Sequence, residues 1–586
     1  MKLFNYSYNY PAYIFNKKLY NHYLFKKDKN FIDKEEGIYV INIDDEYGIL
    51  AVSKDKQENE FDLDSIYNRD MESRLNNAEI SVQYPMYFRL LDVTPIDATQ
   101  VNFVYDSQEL SLSGIDVTMG IIDTGIDYLN DNFIDENGKS RIDFIWDQTL
   151  NPTDNSTKNN NIPYGVLYDN NDINRAIEIK KLGGDPYSIV ASKDEVGHGT
   201  KMASLAGGKV KDNDSNYNGV AINCRFVIVK LQQSFDFMEK NDISIPIFDL
   251  ADVFTALSGI YKYLLQTGKT TVFLIPLGSN SGNHRGNSIF DEYLQKISNN
   301  RGVVVVTGSG NEGNTETHAS GFITSSGEIS TIELDVSEKQ KNIFVEIWAQ
   351  TSNIFTIDVT SPSGEGTGEL SILLNSNNKF KYIFENTEVS VKYFVPESIT
   401  GEELILIYFN NIKEGAWRLR IKGDLITTGR YDAWLPISGI SFEGTKFSPS
   451  DPYGTITIPG DSKTVITAAG YDQNNNNTVE YSGMAFSTNF IDVITVAVGS
   501  VNSPVLGPNN KKEVINGTSV SAAIAAGVCA LLFEWGIVNG NFPNMYSQSI
   551  LTFFARGIIK RKGDIYPNPL WGYGILNVLK IFENMT

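Results

Sequence analysis

The sequence predicts an α/β fold in which a parallel sheet is flanked by helices, with an N-terminal α+β unit and an inserted antiparallel β-sandwich. Apolar, β-branched runs at 117–122 and 303–306 have the composition of buried parallel strands. A run of small apolar residues at 520–532 indicates a helix that is buried on nearly every side. Between 329 and 421, several short segments alternate apolar and polar residues, which is typical of antiparallel strands.

Three short motifs carry the chemistry. The motif at 120–125 closes the first predicted strand with Asp123, and active sites of open α/β sheets lie at the carboxyl ends of their strands. The motif at 197–200 places His198 between two glycines at the start of a predicted helix. The motif at 516–519 places Ser519 at the N-terminus of the predicted buried helix, where unpaired N–H groups favour a developing negative charge.

Together the motifs supply an acid, an imidazole and a hydroxyl, the groups that turn a weak alcohol into a nucleophile for acyl transfer. Each motif alone is more often a turn than a catalytic site, but the chain has only four histidines and one of them lies in the middle motif. A glycine-rich loop at 307–313 follows the strand at 303–306 and presents the amide of Asn311. An amide aimed at the carbonyl oxygen of a scissile bond is an oxyanion-hole donor.

The order acid, histidine, serine resembles the subtilisin-like serine proteases, the subtilases, over about residues 100–320 and 440–586. The resemblance implies that Asp123 orients the imidazole and that His198 acts first as general base and then as general acid. It also implies that Ser519 attacks the substrate and that Asn311 joins the Ser519 N–H in holding the oxyanion.

The same resemblance implies a cleft that grips an extended peptide by β-augmentation. One wall is a strand at 275–278 and the opposite wall is the loop at 308–310. Pro276 stands where the family usually has a small polar residue, and proline removes an N–H donor from a strand that is expected to pair with substrate. The predicted substrate-binding residues are Ile275, Leu277, Gly278, Gly308, Ser309 and Gly310.

The chain divides into four predicted parts. Residues 1–92 form a prodomain, 93–321 the first part of the catalytic domain, 322–436 an inserted jelly roll, and 437–586 the second part of the catalytic domain. In subtilases a prodomain templates folding and lies in the cleft until it is cut, and here the cut is expected between Gln83 and Gln100. An ordinary N-terminal accessory domain is the alternative.

This layout is similar to that of the Csp germination proteases of anaerobic spore-formers. The resemblance implies a serine endopeptidase that processes its own prodomain and activates, by limited proteolysis, the zymogen of a spore cortex-lytic peptidoglycan hydrolase. It places the protein in the spore, at the cortex or coat. Because some relatives are pseudoproteases, the alternative is a catalytically silent germination regulator that acts by binding or signalling.

Composition limits the other possibilities. The 586 residues are too many for one core, and a net charge of −22 argues against nucleic acid or an anionic membrane surface as main partners. The N-terminus lacks the apolar core of a secretory signal, and the apolar run at 519–533 is too short for a membrane span. The stretch at 211–216 is predicted to be a solvated turn rather than a calcium loop, so we expect no metal. We also expect no cofactor, and we expect the protein to be a monomer.

Overall fold

The computed structural model describes residues 12–16, 18–27, 37–56, 80–83, 86–90, 95–107, 109–151, 162–211, 217–372 and 377–585. Its centre is an eleven-stranded, mostly parallel sheet flanked by helices, which confirms the predicted fold class. Antiparallel pairs occur only at its margins, at Ile558–Ile559, Asn477–Thr478 and Val166–Asp169 among the described residues. The other strands, in spatial order, are Ile575–Leu576, Val496–Gly499, Ile466–Asp472, Val303–Gly308, Thr270–Leu274, Val117–Asp123, Arg225–Lys230 and Ile142–Asp147.

The helices cover both faces of this sheet. One face carries the apolar sides of Asn170–Lys181, His198–Gly207, Thr518–Phe533, Ser547–Arg556 and Val578–Glu583, and the other carries Leu250–Thr267 and Ile289–Ser298. The short helix Asn102–Asp106 adds Val104 to the apolar cluster of the first face, and the short helix Phe235–Lys240 adds Phe237 to a separate apolar cluster. Leu250–Thr267 begins where the Asp249 carboxylate accepts the Ala251 N–H and ends at Gly268, which has a left-handed φ of 66°.

The helix Thr518–Phe533 passes through the middle of the core. Its residues are small and apolar on every side and all of them are buried, as the sequence pattern predicts. It continues through a π-helical turn, Glu534–Val538, so the helix is longer than the apolar run at 519–533, and the combined 21 residues are long and apolar enough to cross a membrane. Because 89% of its most apolar stretch is buried inside the protein, this helix has the surroundings of a core helix.

An antiparallel β-sandwich is inserted between Asn311 and Ser519. Its six-stranded sheet has the order His318–Phe322, Arg430–Trp434, Asn342–Ala349, Glu403–Asn410, Glu388–Phe394 and Asn377–Lys381. Its four-stranded sheet has the order Ile354–Thr360, Gly415–Leu425, Ile329–Val336 and Lys446–Ser448. The two sheets share one apolar core, and their strands extend from His318 to Ser448, beyond the predicted bounds 322–436 on both sides.

The N-terminal sheet has both faces buried. It consists of Ile38–Asn42, Tyr47–Ser53, Tyr20–Lys27 and Ile80–Gln83, all antiparallel. Leu24, Ile41 and Ile49 belong to the apolar cluster that includes the helices Leu250–Thr267 and Ile289–Ser298. Phe25, Val40 and other residues of the opposite face share a second cluster with Phe237, Ile247, Phe344, Trp348 and Leu406, which come from the catalytic core and the inserted sandwich. The sheet is therefore enclosed by both of the larger units.

Candidate active site

Asp123 stands at the carboxyl end of the strand Val117–Asp123, at the edge of the sheet where the sequence predicts the site. The side chain is fully buried. Its Oδ1 accepts the N–H of Thr124 at 2.6 Å, and its Oδ2 lies 2.7 Å from Nδ1 of His198. Burial raises the pKa of Asp123, while the His198 imidazole and the Thr124 N–H oppose that rise by favouring the carboxylate.

His198 opens the helix His198–Gly207, and its two flanking glycines have separate structural reasons. Gly197 has a φ of 81°, a left-handed conformation that suits glycine. A Cβ on residue 199 would lie 2.1 Å from the carbonyl oxygen of Gly125, so only glycine lets the helix approach the Asp123 turn this closely. The approach brings the imidazole between the acid and the hydroxyl, with Nε2 3.4 Å from Oγ of Ser519.

Ser519 is the second residue of the helix Thr518–Phe533, so its backbone N–H belongs to the first turn and has no partner within the helix. The Oδ1 atom of Asn311 accepts the N–H of Thr518 at 3.0 Å. This bond fixes the amide plane beside the start of the helix and leaves the Nδ2 donors for another acceptor. Asn311 and the Ser519 N–H therefore lie next to each other, as an oxyanion hole requires.

Asp194 is a residue of this site that the sequence analysis missed. Its buried carboxylate accepts four hydrogen bonds: from Thr124 Oγ1 at 2.8 Å, Gly197 N at 2.7 Å, Thr200 N at 2.9 Å and Thr200 Oγ1 at 2.7 Å. It thereby ties the turn after Asp123 to the first turn of the helix that carries the imidazole. Its position four residues before His198, ahead of a helix start, is the signal that could have identified it.

Residues Tyr87–Leu90 lie as the middle strand of a small three-stranded antiparallel sheet. On one side Leu90 is opposite Leu277 and Arg89 is opposite Gly278, the predicted cleft strand. On the other side Phe88 is opposite Phe248 and Tyr87 is opposite Asp249. The predicted cleft strand thus pairs with the chain's own N-terminal segment. The strand on the other side, Phe248–Asp249, was not predicted because a two-residue strand has no periodicity to detect.

The other predicted cleft residues lie deeper. Ile275 continues the central sheet, where its N–H donates to Val306 O at 3.0 Å. Ser309 donates its N–H to Ala468 O and accepts the N–H of Thr457, so its main chain is bonded to the core.

Thr457 packs between the predicted walls. A Cβ on Gly278 or on Gly310 would meet its side chain at 2.3 Å or 2.6 Å, and a Cβ on Gly308 would meet Thr518 O at 2.6 Å. All three positions therefore require glycine.

The described part of the chain gives little support for metal binding or for thiol chemistry. No group of three or more His, Cys, Asp or Glu side chains is placed there to hold a metal. In the stretch weighed as a calcium loop, residues 212–216 lie outside the described residues. Cys224 and Cys529 are both buried, and burial raises the pKa of the Cys224 thiol to about 11, which keeps it protonated at neutral pH.

Comparison with known proteins identifies the class of enzyme. The subtilase family model, Peptidase S8, matches residues 114–381, and the chain is a subtilisin-like serine endopeptidase. It is similar to the CspB protease of Clostridium perfringens, with 27% identity and a TM-score of 0.72 over 83% of this chain and 99% of that one. The predicted resemblance to the Csp proteases is thereby confirmed.

The chain also has more distant structural similarities. The epidermin leader peptide processing protease EpiP of Staphylococcus aureus is 12% identical, with a TM-score of 0.43 over 97% of this chain and 99% of that one. This likeness is too distant to bear on function. Among curated protein sequences, none matches this chain.

Proposed function

We propose that this endopeptidase uses Asp123, His198 and Ser519 as a catalytic triad, with Asn311 as an oxyanion donor. The observation that carries the proposal is the pair of distances that link the acid to the imidazole and the imidazole to the hydroxyl. His198 Nε2 takes the proton from Ser519 Oγ as that oxygen attacks the peptide carbonyl, and then gives it to the leaving amine. The 3.4 Å gap is longer than a good hydrogen bond, and catalytic hydrogen bonds commonly shorten when substrate binds.

We further propose that the first substrate is the chain itself. Tyr87–Leu90 already has the position of a bound peptide between the cleft strand and Phe248–Asp249. The described chain resumes at Pro95, which packs on Gly499, and Gly499 O lies 3.3 Å from Oγ of Ser521 in the nucleophile helix. Only residues 91–94 connect these points, and they lie outside the described residues. We therefore propose that the cut falls at one of the bonds between Leu90 and Pro95, within the span from Gln83 to Gln100 that the sequence predicts.

After this cut, the segment that precedes the cut bond would stay in place as the prodomain, bound in the cleft. The support is the enclosure of the N-terminal sheet, whose two faces contact different units. Ion pairs at the rim add little to this attachment, because pairs such as Lys26 with Glu292 and Lys54 with Asp236 are partly exposed. Buried apolar area is the main contribution.

The external substrate we propose is the zymogen of a cortex-lytic peptidoglycan hydrolase, cut during germination inside the spore. The support is the similarity to CspB, which covers 83% of this chain and 99% of that one. The competing hypothesis is a regulator that acts by binding while Tyr87–Leu90 blocks the cleft permanently.

Mass spectrometry of three purified chains tests the chemistry. Wild type should yield a new N-terminus at one of residues 91 to 95, and Ser519→Ala should stay intact. Ser521→Ala is the matched control, because Ser521 lies in the same helix and its buried hydroxyl donates to Val498 O at 3.1 Å. It should be cut like wild type. An intact wild-type chain, or a cut Ser519→Ala chain, would contradict self-processing by this triad.

A second experiment tests the biological role. Spores that carry Ser519→Ala in place of wild type should fail to convert the hydrolase zymogen and should germinate poorly. Normal germination of those spores would favour the binding regulator.

A further inference from the structure

A cavity of about 260 Å³ lies where the inserted sandwich meets the catalytic core. Gln350 and Arg430 contribute to its wall from the sandwich, and the rest of its lining comes from segments 284–285, 454–463 and 485–493 of the core. We propose that this cavity binds a small organic carboxylate that carries an apolar group. The site is separate from the peptide cleft and does not depend on the proposed triad.

The polar side of the cavity has two fixed guanidinium groups. Arg285 donates to Glu402 and to Asp432 at 2.8 Å each, and Arg430 donates twice to Asp432, at 2.6 and 3.1 Å. A guanidinium has five N–H donors, so each arginine keeps donors beyond the two that these carboxylates accept. Side chains held in this way lose little freedom on binding, and a planar guanidinium suits a carboxylate.

The apolar side is formed by one aromatic ring and three aliphatic groups. The ring of Phe486 lies 5.6 Å from Cζ of Arg285 and 5.4 Å from Cζ of Arg430, so the ring and the cations are immediate neighbours. Ile456, Ala485 and Val493 complete this side. Because an apolar cavity of about 150 Å³ can hold benzene, the larger volume here has room for a ring-sized group and a short arm that ends in a carboxylate.

The charge of the cavity favours an anion although the whole chain has a net charge of −22. Lys463 is exposed and adds a third cation to the lining. The one carboxyl group of the lining, Asp461, is buried, and burial raises its pKa by disfavouring the negatively charged form. Asp432 and Glu402, behind the arginines, balance two of the three positive charges.

Isothermal titration of the full chain with 3-phenylpropionate tests the proposal, with the neutral 3-phenylpropanamide as the isosteric comparison. The carboxylate should bind, and the amide should bind at least about tenfold more weakly, because it cannot form charge-assisted bonds to the guanidinium groups. Lys463→Gln should weaken carboxylate binding by about threefold. Lys562→Gln is the matched control, since Lys562 is also exposed but lies outside the cavity lining.

The amide comparison needs no variant, so it decides the question even if a substitution disturbs folding. Equal binding of the two compounds, or no binding of the carboxylate up to about 10 mM, would overturn the proposal. An equal loss of affinity in Lys463→Gln and Lys562→Gln would do the same, because it would show a general charge effect.

Discussion

Replacing Phe25 by alanine should release the N-terminal sheet from the protease after the proposed cut. Phe25 is fully buried and belongs to the apolar cluster that joins this sheet to Phe344 and Trp348 of the sandwich. Truncation of a buried phenylalanine costs about 3–5 kcal/mol. Since about 1.4 kcal/mol is a factor of ten, the dissociation constant of the cut sheet should rise by roughly 10² to 10³-fold or more.

Size-exclusion chromatography of the processed protein measures this effect. In wild type the fragment that ends near Leu90 should elute with the protease, and in Phe25→Ala it should elute separately upon dilution. Phe409→Ala is the control, because Phe409 is equally buried but lies in the core of the sandwich, away from the N-terminal sheet. The appearance of the cut in both variants shows that they have folded. Retention of the fragment in Phe25→Ala would refute the view that this cluster holds the sheet.

Three further predictions concern the site and the sandwich. Asn311→Ala should slow self-processing by about 100- to 1000-fold, measured by gel after refolding, and an unchanged rate would exclude it as an oxyanion donor. Asp194→Ala should slow processing more than Asp194→Asn, which keeps one acceptor oxygen; equal rates would contradict a role in positioning His198. Burial raises the pKa of Glu403 to about 8, whereas its unfolded value is about 4.3, so its contribution to stability falls as pH rises from about 4.3 to 8. Glu403→Gln should therefore flatten the fall in melting temperature over that range, and an unchanged slope would contradict the assignment.

Much of the fold could be predicted because its signals are local. The β-branched run at 117–122 and the small-residue run at 520–532 each identify an element by composition, and both became buried elements of the core. The predicted site residues could be proposed for the same reason, since each lies in a short local motif and the glycine after His198 marks a close approach of two segments. These side chains come together because two helices begin beside the edge of the sheet where the strand of Asp123 ends.

Other features depend on contacts between distant segments, and the sequence carries no local sign of them. Phe248–Asp249 is a strand only because Tyr87–Leu90 lies beside it. Arg285 and Arg430 are 145 positions apart and meet through one shared carboxylate, Asp432. The double enclosure of the N-terminal sheet also follows from tertiary packing, since its strands have ordinary apolar patterns.

Because part of the enclosure comes from the sandwich, one face of the N-terminal sheet is covered only late in synthesis. The ribosome delivers Val52 about 290 residues before Phe344, so one face of the early sheet lacks its cover for roughly 15–60 seconds at ordinary elongation rates. During this time the nascent chain exposes an apolar surface that favours aggregation or binding by chaperones. Translation speed should therefore affect the yield of soluble protein, and pausing codons upstream of the sandwich should lower it.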